Sequence, residues 1–310
     1  MRFRISGRGA FVALTVFCFS ALNIGLVLRQ DCLPSNVATV TDVVWSTDHP
    51  FADDSWVLDC ITWDRIRSKP KPEDVVLQDF GSNRTFAGGE SPRQRRLFFH
   101  RIFAARDWPA DDPSYRGLKA SGPGAMLRNA QNAIAALHSV ISRVKSHLGK
   151  SAVSLLDVPC GDLQWIRHVL DARADILYTG ADIVPDIIAH HRKTFKTLRK
   201  TEFIELDVVS MPLNHTYDII LVRDLLQHLW MVDAVTALKR LSDSGSRFLL
   251  ATTVPDTAVN EDVNKLALGG RKSSYNLERS PFSLESPMCS SYDWNVEHIS
   301  LWNLPLKQIL

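Results

Sequence analysis

The sequence predicts an α/β fold, a mainly parallel sheet with helices on both faces, preceded by an N-terminal transmembrane helix. Three observations carry this expectation. From Ser151 onward, short apolar runs alternate with helical patterns, as βαβ units require. Three successive runs end at or near an aspartate, Asp157, Asp182 and Asp207. Residues 10–28, AFVALTVFCFSALNIGLVL, hold no charged side chain.

The N-terminal run comes first. At about 1.5 Å per residue it just spans a bilayer core of about 30 Å. Arg2, Arg4 and Arg8 precede it, and Arg29 and Asp31 follow, so the positive excess is N-terminal. The positive-inside tendency then leaves the N-terminus in the cytoplasm and carries the rest across the membrane. The expected division is a cytoplasmic tail (1–9), a signal anchor (10–28), a stem with an irregular extension (29–94) and one large domain (95–310). A cleaved signal peptide, cut near Ser20 and Ala21, is the competing reading. The apolar run continues past that point, which favours the anchor. The expected location is therefore a single-pass type II protein of the endoplasmic reticulum or Golgi with a lumenal domain, with secretion as the alternative. Cys32 and Cys60 are placed to pair in such an oxidising lumen, and Cys289 is left over. Asn83-Arg84-Thr85 and Asn214-His215-Thr216 are glycosylation sequons.

Beyond the stem, Gln94 to Ala105 reads as a short helix with Phe99, Ile102 and Phe103 inward. Val153–Val158 is a buried strand, followed by a helical pattern from Leu163 to about Ala172. Ile176–Asp182 is the second strand, with a helix from about Pro185 to Leu198. Glu202–Asp207 and Tyr217–Val222 are the third and fourth strands, followed by a helix around Val232 to Leu241. Arg247–Thr253 is the fifth, and His298–Leu304 reads as one of the last strands.

Ligands of parallel sheets bind at the carboxyl ends of the strands, where the candidate residues fall. Gly161 permits close backbone approach after the first strand. Asp182 lies 21 residues after Gly161, near the spacing of a ribose-binding carboxylate. Asp207 is placed to accept the amino group of an adenine. The loop has no GxGxxG, so the pyrophosphate of a dinucleotide would lack its glycine-lined approach. The pattern calls instead for a nucleoside cofactor without phosphate.

Here the chain resembles a family. Asp157-Val158-Pro159-Cys160-Gly161-Asp162-Leu163-Gln164-Trp165 looks like the first motif of class I S-adenosylmethionine-dependent methyltransferases whose loop reads D-[VA]-P-C-G-D-x-x-W. Ser121-Gly122-Pro123-Gly124-Ala125, Gly180-Ala181-Asp182-Ile183-Val184-Pro185, Leu206-Asp207-Val208, Arg223-Asp224-Leu225-Leu226-Gln227-His228-Leu229 and Asn276-Leu277-Glu278 with Pro281-Phe282 resemble its later elements. Leu163 and Gln164 stand where many members have Phe-Asn, which changes a side chain near the pocket but not the loop backbone. The resemblance implies a Rossmann-like seven-stranded sheet whose last strand is antiparallel. Because the chain stops six residues after Leu304, that strand is expected at an edge. The implied cofactor is S-adenosyl-L-methionine, held by Asp157, Pro159, Cys160, Gly161, Asp162, Trp165, Asp182, Ile183, Asp207, Val208 and Arg223. Arg223 has a second reading, a structural ion pair.

His228 and Asp224, four residues apart, are the candidate base and its partner. If the segment turns helical they share a face. Cys160, after an apolar strand with no nearby His or Lys, reads as a small inert core thiol. His190 and His191 read as surface side chains, since neighbours on a helix point about 100° apart. No metal is expected: no CxxC or HxxxH occurs. The net charge of +2 and the solvated basic runs Arg93–Arg101 and Arg192–Lys200 give no reason to expect nucleic acid. The loop after the fourth strand lacks the Asn-Pro-Pro-Tyr type of segment found in many amino-group methylases. The expected activity is therefore O-methylation of a glycan or small molecule, the membrane being reached only through the N-terminal helix. The competing classes are a lumenal glycosyltransferase, whose usual Asp-x-Asp is absent, and a non-catalytic nucleoside-binding protein.

Overall fold

The structure is a computed structural model, and it describes residues 89–105, 121–196, 198, 200–262 and 272–307. The segment 10–28, the Cys32 and Cys60 pair and the Asn83 sequon lie outside these residues. Among the described residues no helix is long and apolar enough to cross a membrane.

Seven strands form one sheet in the order β3-β2-β1-β4-β5-β7-β6. They are β1 (Val153–Asp157), β2 (Ile176–Asp182), β3 (Thr201–Glu205), β4 (Ile219–Val222), β5 (Phe248–Thr253), β6 (Cys289–Tyr292) and β7 (His298–Asn303). The first five run parallel, and β7 pairs antiparallel with both β5 and β6. The expected Rossmann-like, mainly parallel sheet is present. The edge expectation for the last strand is corrected: β7 lies between β5 and β6, and β6 forms the edge. The physical reason is the burial of Ile299, Ser300, Leu301 and Trp302, which an edge strand cannot provide.

Helices are α1 (Pro92–Ala105), α2 (Gln131–Leu148), α3 (Ile166–Ala172), α4 (Pro185–Thr194) and α5 (Met231–Ser242). Alternate strand residues point to opposite faces. Leu155, Ile219, Leu221 and Leu250 pack with Leu137, Val140, Ile141 and Val144 of α2. Leu156, Ile220, Val222 and Leu249 pack with Ala234, Leu238 and Leu241 of α5, and with Phe99, Ile102 and Phe103 of α1. Burying one such leucine or phenylalanine contributes about 1.5–3 kcal/mol. Helix α2, which sequence periodicity had left unassigned, ends where Gly149 adopts φ +62° and its N–H caps the Lys145 and Ser146 carbonyls.

Three readings of single residues are altered. Arg95, inside a run read as solvated, is buried. His191 is fully buried, because α4 turns Ile187, Ile188 and His191 inward on one helical stripe. Cys289 is disulfide-bonded rather than left over, and its partner lies outside the described residues. The Asn214 sequon is exposed, in the loop between β3 and β4.

Candidate functional site

The chain order reverses between β1 and β4: from β1 it proceeds to β2 and β3 on one side, then to β4 and β5 on the other. A crevice at the carboxyl ends of the strands follows from this reversal. It is lined by Val158, Pro159, Cys160, Gly161 and Asp162 after β1, Asp182 and Ile183 after β2, and Leu206 to Val209 after β3. Arg223, Asp224, Leu225 and Leu229 line it after β4. Ser121, Ala125 and Trp165 close one side, and Arg95, Phe99 and Phe103 of α1 close another.

The loop after β1 is held from three directions. The Cys160 N–H donates to Ala181 O at 2.8 Å, which pins it to β2. The Ser121 N–H donates to Asp162 Oδ2 at 2.7 Å, and the Asp162 N–H donates back to Ser121 Oγ at 2.8 Å. Below, His191 Nε2–H donates to Gly161 O at 2.7 Å. Burial lowers the His191 pKa to about 4, so the ring is neutral. Its Nδ1 is buried without a partner among the described residues. Gly161 sits at φ +53°, and a Cβ there would overlap Ser121 Oγ. Glycine is therefore required by both backbone conformation and space.

Asp182 accepts the N–H of Gly161 at 3.2 Å on one oxygen and that of Val184 at 3.0 Å on the other. Each oxygen keeps capacity for a further donor, so the carboxylate suits a pair of vicinal hydroxyls. Burial raises its pKa to about 6, and the backbone donors of Val184 and Gly161 pull it back only in part. Asp157 does not line the crevice. Its carboxylate accepts Tyr178 Oη–H at 2.7 Å beneath the loop. Burial raises its pKa to about 7 against the lowering by Tyr178. In this arrangement Asp157 is a buried support of β1 beneath the crevice floor.

Asp207 lines the crevice but is already engaged. It accepts Arg95 Nη2 at 2.8 Å and Nε at 3.2 Å, Ser210 Oγ at 2.6 Å and the Val209 N–H at 3.1 Å. No acceptor capacity is left for an adenine amino group while Arg95 stays there. The Asp182 end of the crevice therefore keeps free acceptor capacity, and the Asp207 end is covered by α1. The free space of the crevice is about 80 Å³.

Arg223 is spent on the protein. It donates to both Asp293 oxygens, at 2.7 and 3.0 Å, and to Gly124 O at 3.0 Å. Its guanidinium stacks over Trp165 at 5.1 Å. Desolvation alone would lower its pKa, but the Asp224 and Asp293 carboxylates outweigh it and raise it. Of the two readings of Arg223, the ion pair is the one these contacts display, and the side chain also lines the crevice. Asp224 has φ +58°, so it breaks the chain direction and the segment to His228 is not one helix. A single 3₁₀ turn covers Leu226–His228. The shared-face argument is thereby corrected. Asp224 accepts Gln227 Nε2 at 2.7 Å and faces Arg223 Nη1 at 3.3 Å. Burial would raise its pKa, but Arg223, His228 and Lys272 together lower it, and the group is ionised. Gly124 packs so close that a Cβ would overlap Asp224 Oδ2. His228 is half-buried and is not among the residues lining the crevice. Cys160 is buried and its thiol pKa is pushed well up, in keeping with an inert core thiol.

Sequence reasoning missed the hairpin between β6 and β7. Its tip brings Asp293 to Arg223 and Glu297 to Lys272 Nζ at 2.6 Å. Burial and the Asp224 charge raise the Glu297 pKa to about 7. Arg95 was missed too, although its spacing from Phe99 and Ile102 places it on the inward stripe of α1. Among the described residues no cluster could hold a metal ion.

Residues 156–244 match the family profile described as a methyltransferase domain. No curated protein matches the chain. Among solved structures, the chain is similar to 1,6-didemethyltoxoflavin-N1-methyltransferase of Burkholderia thailandensis, with bound 1,6-didemethyltoxoflavin and S-adenosylhomocysteine. The two are 12% identical over 70% of this chain and 92% of that one, with a TM-score of 0.47. It is also similar to the magnesium protoporphyrin IX methyltransferase of Synechocystis PCC 6803 with bound S-adenosylhomocysteine, at 13% identity over 69% and 100% of the two chains and a TM-score of 0.44.

Proposed function

We propose that this chain is a class I S-adenosylmethionine-dependent methyltransferase, a reading supported by the methyltransferase-domain match over residues 156–244, and that it methylates an oxygen of a glycan or small molecule on the lumenal side of a membrane. The observation that carries the oxygen assignment is the ionised Asp224 on the crevice wall, with His228 close enough to contribute to its charge state. A hydroxyl acceptor must lose a proton near the transition state, and this rim supplies groups able to receive it.

When bound, S-adenosylmethionine supplies an electrophilic methyl on a sulfonium, transferred by in-line displacement. The chain's part is alignment, exclusion of water and removal of the acceptor's proton. Asp182 is placed to take the ribose hydroxyls, and Gly161 lets the backbone approach. Trp165 and the Ser121–Ala125 segment wall the acceptor side. Arg223 holds that segment through Gly124 O and the β6–β7 tip through Asp293. Asp224 or His228 takes the proton. Of the expected cofactor contacts, Pro159, Cys160, Asp162, Ile183 and Val208 remain in this proposal as walls of the crevice.

The lumenal address is supported by the charge-free run at 10–28, the disulfide at Cys289 and the exposed Asn214 sequon. The test is a methyl-transfer screen with radiolabelled cofactor against glycans, lipids and small molecules of the secretory pathway. Label in an alkali-stable ether of a glycan or small hydroxylated compound supports the proposal. Label confined to amines overturns the oxygen assignment.

A further inference from the structure

Helix α1 closes the Asp207 end of the crevice, where Phe99, Ile102 and Phe103 pack it to the core and one buried charged side chain fastens it. Arg95 is 2% exposed. It reaches Asp207 after β3 at 2.8 Å and Asp233 on α5 at 3.2 Å, and it donates to the Glu90 carbonyl. Asp233 also accepts the Glu90 N–H at 3.0 Å, so the entry to α1 is tied to the same carboxylate. Two further charged contacts of α1 among the described residues are exposed: Arg96 to Glu205 at 2.6 Å and His100 to Asp186 at 3.1 Å. Such surface pairs hold weakly. Behind Arg95, Phe99 and Phe103 project into the crevice against Leu206, Val208 and Val209.

The closed arrangement is incompatible with the ligand. Small-molecule sites enclose about 300–1,000 Å³, whereas this crevice has about 80 Å³ of free space. The carboxylate at its adenine end is also saturated by Arg95, Ser210 and Val209. Both obstacles trace to α1 and are relieved by one movement.

We infer that α1 is a lid over the cofactor site and that Arg95 is its latch: release of Arg95 from Asp207 and Asp233 admits the nucleoside and frees Asp207 to accept its amino group. Arg95 is in this account a positioning residue, acting through α1 and Asp207. Cofactor entry then waits for an opening step, and the apparent affinity is reduced by the fraction of molecules closed. The inference rests on the cofactor reading above.

The experiment follows S-adenosylhomocysteine binding to the purified full-length chain in detergent micelles, by stopped-flow tryptophan fluorescence. Trp165, on the crevice wall, is the reporter. In the parent, the observed rate should level off with ligand concentration, because opening precedes binding. Arg95→Met should raise that plateau by about tenfold or more, since two charged hydrogen-bonded contacts no longer hold the lid. Asp233→Asn keeps the pairing to Asp207 and should raise it by less, which keeps the test decisive if Arg95→Met folds poorly. Arg96→Ala removes only an exposed ion pair of α1 and should leave the plateau within about twofold. Hydrogen exchange in α1 should quicken in Arg95→Met in the absence of ligand. A rate that rises linearly in the parent, or one plateau shared by the parent, Arg95→Met and Asp233→Asn, overturns the latch while leaving the cofactor reading intact. Failure of the parent to bind the ligand overturns the cofactor reading, and the latch with it.

Discussion

Replacing Asp182 with alanine should separate the cofactor contact from the stability of the fold. In the parent the carboxylate accepts two buried N–H groups, from Gly161 at 3.2 Å and Val184 at 3.0 Å. Truncation leaves both without acceptors, a loss of about 1–3 kcal/mol each. Against this stands relief of a buried charge. Burial holds the carboxyl at about 6 instead of the ordinary 3.8, which corresponds to ~3 kcal/mol against the ionised form. The folded pKa lies above the unfolded one, so this cost is absent below pH ~4, grows as pH rises, and is fully present above pH ~6. The variant should therefore melt close to the parent at about pH 8 and fall below it toward about pH 4.5, where the relief has faded. Binding has no such offset. Loss of the ribose acceptor should weaken S-adenosylhomocysteine by about 1–3 kcal/mol, roughly 5–150-fold. Calorimetric titration at neutral pH, with thermal melts at both pH values, measures the two effects on one preparation. Parent-like titration by a folded variant would refute the ribose assignment. A melting difference that is the same at both pH values would refute the buried-charge argument.

His228→Ala should lower turnover by roughly 10²–10⁴-fold with cofactor affinity unchanged. Full turnover in the folded variant would leave Asp224 or simple alignment as the explanation. Arg223→Lys keeps the charge but loses the two-pronged pairing to Asp293 and the bond to Gly124 O. It should cost about 3–5 kcal/mol of stability, read as a lowered melting temperature, and an unchanged melt would contradict the ion-pair role. In intact microsomes the C-terminal domain should resist protease until detergent is added. An endoglycosidase-sensitive mass increment should be lost in Asn214→Gln. Digestion without detergent would overturn the lumenal topology, and a product beginning near Ala21 would support the cleaved alternative.

What the sequence determined by itself was whatever depends on local period and local chemistry. Short apolar runs alternating with helical patterns point to parallel crossover units, because helices on both faces bury the strands between them. That Gly161 and Asp182 line one crevice was legible because each lies at the carboxyl end of a strand of the predicted parallel sheet. The elements whose meaning depends on distant partners were not legible. Asp157, Asp182 and Asp207 look alike in sequence. The fold turns the first down to Tyr178, leaves the second open to the crevice, and surrounds the third with Arg95, Ser210 and Val209. Arg223 reads equally as a ligand contact or an ion pair until β6 and β7 bring Asp293 to it from 70 residues away. The edge position passed from β7 to β6 because hydrogen-bond pairing across the sheet, not order along the chain, decides which strand is covered. His191 is buried because helix α4 presents a stripe to the sheet, and the direction of that stripe is set by packing. Sequence specified which groups the chain owns, and tertiary structure decided which of them were still unpaired when the fold closed. A buried polar group has a large free-energy preference for any partner the fold supplies.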